Sequence, residues 1–61
     1  MTLEEAAENL QLEPGDYNIG FMGDDETQFT ACSLQDLKEC WEVFCADEGI
    51  SEDCVDYVAA A

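Results

Sequence analysis

Residues 33–48, SLQDLKECWEVFCADE, decide the fold because they carry the clearest periodicity of the chain and its single Trp. Ser33 can cap a helix, with Asp36 three residues later in place of the usual Glu of a capping box. Gly49 stands where a left-handed residue commonly ends a helix. These signals predict one helix with both ends marked. Its apolar stripe recurs at three- and four-residue steps: Leu34, Leu37, Trp41 and Phe44.

The opposite face of this predicted helix is acidic. It carries Asp36, Glu39, Glu42 and Asp47. Val43 falls between Glu39 and Asp47 on the same side, so it is either covered by the C-terminal residues or exposed as an apolar contact inside a negative surface. One side of the helix therefore builds a core, and the other presents carboxylates.

The residues before this helix predict a short helix and a β-hairpin. Thr2 and Glu5 form a capping box that opens the first helix. Residues 17–22 alternate large apolar side chains with small or polar ones, as a half-buried strand does. Gly23, Asp24, Asp25 and Glu26 are typical of a turn, and residues 27–32 then pair back as an antiparallel strand.

The residues after Gly49 carry mixed signals. Residues 54–58 have the β-branched and aromatic content of a short strand, but Val55, Val58 and Ala59 also fit one face of a helical turn. We favour a third strand beside the hairpin. The expected fold is therefore α+β, in the order α-β-β-α-β.

The composition is dominated by acidic residues. Asp and Glu number 16 against 1 Lys or Arg and no His, which gives a formal net charge of −15. Such a charge repels itself in any compact state. However, 48% of the residues are hydrophobic and fall at helical and strand spacings. We therefore expect residues 1–61 to fold as one small domain.

Four cysteines in so short a chain suggest a secreted disulfide scaffold, but no signal peptide supports that alternative. The first residues, MTLEEAAENL, have acids where a signal peptide would have basic residues, and no apolar run reaches the length that spans a membrane. We therefore expect a cytoplasmic protein with reduced thiols that act as small buried hydrophobes. These thiols belong to Cys32, Cys40, Cys45 and Cys54.

Neither a metal site nor catalysis is indicated. The cysteine spacing lacks the CxxC pairs of zinc sites, and Asp24, Asp25 and Glu26 lack the alternate-position acids and Gly of a calcium loop. The chain has no His to act as a base, one isolated Lys38 and no Gly-rich phosphate loop. We expect no cofactor and no enzymatic activity.

The charge density suggests a comparison with nucleic acid. A folded protein of 6.7 kDa exposes roughly 4,000 Å², or about 260 Å² per net charge. Duplex DNA exposes about 110 Å² per charge. Carboxylates gathered on one side would approach the density of DNA, and a basic surface that otherwise holds phosphates is the expected partner.

In size, charge and α/β build, the chain resembles the very small acidic inhibitors of phages and mobile elements. These are the anti-CRISPR and antirestriction proteins that act as DNA mimics. The resemblance implies a stoichiometric inhibitor that blocks the DNA-binding surface of a host defence complex, most often a CRISPR-Cas effector. It implies that phosphate positions are occupied by the helix acids Asp36, Glu39, Glu42 and Asp47, with Asp24, Asp25 and Glu26 or the acids of the first helix.

A second hypothesis is an acidic adaptor module that binds a basic protein segment within a larger assembly. The two hypotheses share a Lys/Arg-rich partner, and neither requires direct contact with nucleic acid or a membrane. They differ in one observable, because an inhibitor competes with nucleic acid for its target and an adaptor does not.

Overall fold

The protein has five secondary-structure elements in the predicted α-β-β-α-β order, and the α+β fold is confirmed. The computed structural model describes all 61 residues. The elements are α1 (Leu3–Ala6), β1 (Gly15–Phe21), β2 (Asp25–Ala31), α2 (Leu34–Glu48) and β3 (Val55–Ala60).

Both predicted ends of α2 are present. The Ser33 hydroxyl accepts a hydrogen bond from the Asp36 N–H at 3.3 Å, and Gly49 adopts a left-handed conformation with φ 69°. The Asp36 carboxylate in turn accepts the N–H of Cys32 at 3.1 Å. The helix therefore begins and ends where short polar and glycine residues satisfy its free backbone groups.

The three strands form an antiparallel sheet in the order β2-β1-β3. The hairpin register runs without interruption from the pair Gly15 and Ala31 to the pair Phe21 and Asp25. The predicted third strand, β3, pairs with β1 on the other side, with an irregularity in register between Gly20 and Phe21. Both β2 and β3 are therefore edge strands.

The predicted turn at residues 23–26 is wrong in its second half, because Asp25 and Glu26 belong to β2. The chain reverses within residues 22–24, where Met22 and Gly23 have φ values of 53° and 82°. Two consecutive left-handed residues close the hairpin in a shorter loop than the acidic sequence suggests. The Asp56 carboxylate holds this turn by accepting the Gly23 N–H at 2.6 Å.

The core lies between α2 and one face of the sheet. Its most deeply buried side chains are those of Ile19, Leu37, Trp41, Cys45 and Val55. Phe21, Trp41, Phe44 and Phe29 follow one another in aromatic contacts with ring centroids 5.4–5.8 Å apart.

The apolar stripe of α2 differs from its prediction at one end. Leu34 is half-buried outside the core cluster, and Cys45 completes the buried stripe in its place. The Trp41 Nε1–H donates to the Glu52 carbonyl at 2.9 Å, so the buried indole is satisfied. This bond ties the middle of α2 to the loop that leads into β3.

The expectation of four buried cysteines is wrong for three of them. Cys45 is buried, Cys40 and Cys54 are half-buried and Cys32 is exposed. Cys32 precedes the N-cap of α2, where the chain crosses the surface between β2 and the helix. The four thiols form no disulfide. None of the helices combines the length and the apolar character needed to cross a membrane.

Candidate protein interface

The outer face of α2 and the edge strand β2 form a groove with an apolar floor. Its most exposed large hydrophobic residue is Val43, of which 64% is accessible. The groove has a volume of about 460 Å³. We call it the Val43 groove, and it is lined by Phe29, Glu39, Cys40, Val43, Phe44 and Asp47. Of the two sequence alternatives for Val43, exposure inside a negative surface is the observed one.

A second concavity lies at the end of the β-hairpin. We call it the hairpin groove. Its volume is about 430 Å³, and its lining includes Met22, Asp25, Glu26, Phe44, Glu48 and Ile50. Phe44 lines both grooves, so the two are adjacent. Carboxylates from α2 and from the hairpin therefore surround one aromatic side chain, with exposed Met22 and Val43 on either side of it.

Three of the predicted interface residues lie outside these grooves. Asp36 accepts the Cys32 N–H in the cap of α2. Asp24 is exposed at the hairpin turn and lines neither groove. Glu42 lines a different concavity, of about 240 Å³, beside Lys38 and the first helix. At 100° per residue, Glu42 and Asp47 are separated by roughly 140° around α2, so they face different directions.

The single basic side chain is engaged away from the interface. The Lys38 ammonium pairs with the Glu4 carboxylate across α2 and α1. The hydrogen bond from this ammonium to Glu4 and the charge of Glu4 raise the pKa of Lys38, with a further contribution from Glu42. The carboxylates of the two grooves have no cationic side chain beside them. The negative field of the interface is therefore not neutralised within the chain.

Two groove carboxylates have neutral hydrogen-bond donors. The Gln35 side-chain amide donates to Glu39 at 3.3 Å, and the Tyr57 hydroxyl donates to Glu26. The bond to Glu26, together with partial burial and the charges of Glu26 and Asp56, raises the pKa of Tyr57. These donors orient the carboxylates without cancelling their charge, so both remain available to a cation.

Three further residues, Phe29, Met22 and Glu48, line the two grooves although they were not predicted as interface residues. Phe29 is half-buried at the sheet edge and lines the Val43 groove. Glu48 follows Phe44 by four residues, which places both on one side of α2. That spacing could have predicted Glu48 as an interface residue. The exposure of Met22 could not be predicted, because it depends on a left-handed turn conformation that Met rarely adopts.

The arrangement can bind a partner that carries cations around an apolar side chain. The groove carboxylates are exposed, the floor is apolar and the two concavities are open and shallow in shape. No three of the Cys, Asp and Glu side chains are grouped to hold a metal ion. Comparisons with protein-family models, with curated proteins and with solved structures found no match.

Proposed function

We propose that this protein is a stoichiometric inhibitor that acts as an acidic DNA mimic and has no catalytic role. In this proposal it occupies the Lys/Arg-rich surface of a nucleic-acid-binding protein and excludes the nucleic acid. The target we propose is a host defence complex, most readily a CRISPR-Cas effector, which would make the protein an anti-CRISPR of a phage or mobile element. It would act in the cytoplasm of the host cell, where thiols are kept reduced.

The observation that carries the proposal is the charge per unit length. The molecule measures 28 × 18 × 17 Å. A net charge of −15 over 28 Å is one charge per about 1.9 Å, close to the one per ~1.7 Å of duplex DNA. The two shorter dimensions also approach the ~20 Å width of a duplex. A cleft that accepts DNA could therefore accept a body of this width and charge per unit length.

The sites of contact that we propose are the Val43 and hairpin grooves. Glu39, Asp47, Asp25 and Glu26 are exposed there, and no cation of the chain competes for them. Charge-assisted bonds to Lys or Arg are strongest when the pair is desolvated, and the exposed Val43 and half-buried Phe29 side chains supply the apolar surface that excludes water. Glu42 and Asp36 contribute to the overall field more than to direct contacts.

The test is competition on purified CRISPR effector complexes with their target duplex. The protein should displace the duplex, and Glu39→Lys with Asp47→Lys should weaken inhibition by about 2–5 kcal/mol for each carboxylate that is desolvated against a cation. The matched control is Glu8→Lys with Glu13→Lys. It changes the net charge equally, from −15 to −11, at exposed residues outside both grooves. Equal inhibition by the parent and the groove variant would overturn the proposal.

The second candidate is an acidic adaptor that binds a basic segment of a partner. The apolar floor of the Val43 groove favours it, because a pure phosphate mimic needs no hydrophobic contact. The same assay separates the two functions. An adaptor would bind its partner without displacing nucleic acid, and duplex DNA added in excess would not release it.

A further inference from the structure

The two edges of the sheet are protected differently. Along β3, the Val55 N–H donates to the Met1 carbonyl at 3.0 Å, α1 packs beside the strand and the register is interrupted at Gly20. By contrast, β2 has the sequence DETQFTA, with no Pro, no Lys and a continuous register. Natural edge strands usually carry Pro, Lys or a β-bulge, or are covered by another segment, and these features prevent pairing with other chains. The β2 edge therefore remains open to strand pairing.

The direction of the free backbone groups on β2 follows from the hydrogen bonds of β1. The Ala61 N–H donates to the Asp16 carbonyl, so the backbone N–H and C=O groups of Asp16 point toward β3. The N–H and C=O groups of successive residues point alternately to the two sides of a strand. Those of Asn18 and Gly20 therefore also point toward β3. Their partners on β2 then point away from β1. These partners are Thr30, Gln28 and Glu26, and all three are exposed.

The Val43 groove runs beside this open edge. Phe29 is on β2, while Cys40, Val43 and Asp47 are on α2, so the groove lies between the edge strand and the helix. A chain paired with β2 would direct alternate side chains to the face that α2 covers. Those side chains would meet Phe29 and Val43, and the intervening ones would lie beside Glu26 on the open face of the sheet.

We propose that the partner of this protein contributes an extended basic segment that adds to β2 as a fourth, antiparallel strand. Its apolar side chains enter the Val43 groove, and its Lys or Arg side chains lie beside Glu26 on the open face of the sheet, within the negative field of the surrounding carboxylates. This inference rests on the proposed function, since both require a basic partner, and it names the form in which that partner binds. Main-chain hydrogen bonds supply affinity in this mode, and the groove supplies specificity.

Charge complementarity selects this occupant over a second copy of the chain. A second copy would bring another body of charge −15 against the same acidic surface, and bodies of like charge repel each other. A cationic segment is instead attracted by this surface.

The test uses a nine-residue peptide of alternating Lys and Val, labelled for fluorescence anisotropy, with the full chain in 50 mM and 150 mM NaCl. The variant Gln28→Pro removes one backbone N–H that points away from β1, so the hydrogen bonds between β2 and β1 are kept. Edge strands tolerate Pro at such positions. Gln28→Val is the matched control that keeps the N–H. Circular dichroism of both variants checks the fold.

We expect Gln28→Val to bind as the parent does and Gln28→Pro to bind about tenfold more weakly or worse. A second measurement leaves the protein unchanged. In the proposed pairing, the backbone N–H groups of the peptide's Lys residues point toward β2, and those of its Val residues point away from it. A peptide N-methylated at its Lys residues should therefore lose binding, and one N-methylated at its Val residues should keep it. Equal binding of all three peptides would overturn the strand pairing, as would a dimer of the isolated protein that Gln28→Pro dissociates.

The charge variant separates failure of this inference from failure of the proposed function. One outcome would overturn strand addition and leave the basic-partner proposal intact. In that outcome, the Glu39→Lys, Asp47→Lys variant loses peptide binding, whereas Gln28→Pro and the Lys-methylated peptide keep full binding. Unchanged peptide binding by the charge variant at 50 mM NaCl would instead contradict the acidic interface on which both proposals depend.

Discussion

The ring of Tyr57 on β3 lies directly over Gly20 on β1. A Cβ atom at Gly20 would overlap three carbons of this ring, well inside van der Waals contact. The hydroxyl of the same ring reaches across β1 to donate to Glu26 on β2. One side chain thus spans all three strands on the face of the sheet opposite α2, and the absence of a side chain at residue 20 permits it.

Gly20→Ala should destabilise the protein because Tyr57 must leave its position to admit the methyl group. Overpacking of this kind costs about 1–3 kcal/mol. Urea denaturation of the parent, Gly20→Ala, Tyr57→Ala and the double variant would measure the coupling. The substitution should cost clearly less in the Tyr57→Ala background, and equal costs in both backgrounds would show that the ring does not occupy this space.

Glu26→Gln should lower the pKa of Tyr57 toward its usual range. The hydrogen bond to Glu26 favours the protonated phenol and raises this pKa above that of the unfolded chain. Its contribution to stability is therefore complete below about pH 10 and is lost as pH rises through the raised pKa. Absorbance at 295 nm follows the titration, and Tyr57→Phe identifies it. A transition that Glu26→Gln leaves in place would contradict the assignment.

The four cysteines should differ in their rates of alkylation. Burial raises the pKa of Cys45 to about 11, with smaller contributions from Cys54 and Glu52, whereas Cys32 is exposed. Because the thiolate is the nucleophile, iodoacetamide at pH 8 should label Cys32 first and Cys45 last. Peptide mapping by mass spectrometry would show the order. Labelling of Cys45 as fast as Cys32 in the native protein would disprove its burial.

Added salt should raise the melting temperature from its value at low ionic strength. A chain with 16 acidic side chains and a single ion pair gains more from screening of repulsion than it loses in attraction. Thermal melts between 10 and about 300 mM NaCl, where the Debye length falls below 10 Å, would measure the increase. The variant with Glu8→Lys and Glu13→Lys should show a smaller increase in melting temperature with salt. A melting temperature of the parent that does not change with salt would exclude self-repulsion as a significant cost to stability.

Trp41 should be the most sensitive core position. Its side chain is 1% exposed, contacts Phe21 and Phe44 and donates to Glu52. Trp41→Ala should cost about 3–5 kcal/mol, whereas Trp41→Phe should cost less because it retains most of the packing and loses the hydrogen bond. Urea denaturation followed by circular dichroism compares the two, and similar losses would assign most of the effect to the hydrogen bond.

The elements that could be predicted are those whose signals are local. Ser33, Asp36 and Gly49 mark the ends of α2 through bonds made within a few residues, so the helix was predicted at its observed bounds. The hairpin turn was misplaced because its length depends on a left-handed Met22, a residue type with no preference for that conformation.

The candidate interface was only partly predictable because its assembly depends on distant residues. The exposure of Val43 could not be decided from α2 alone, since it depends on the course of residues 50–61. These residues form β3 beside β1, away from the outer face of α2. In the same way, Glu42 lies in a different concavity from Glu39 because α1 packs against α2 there and brings Glu4 to Lys38.

The location of Lys38 within α2 has a practical consequence for measuring local opening. Trypsin cleaves after Lys or Arg, and this chain offers it one such peptide bond, about one turn from the N-terminus of a helix that is capped at both ends. Proteases need an extended segment, so cleavage requires α2 to unravel around this bond. When reclosing is faster than cleavage, the rate of appearance of a single pair of fragments reports the free energy of that opening.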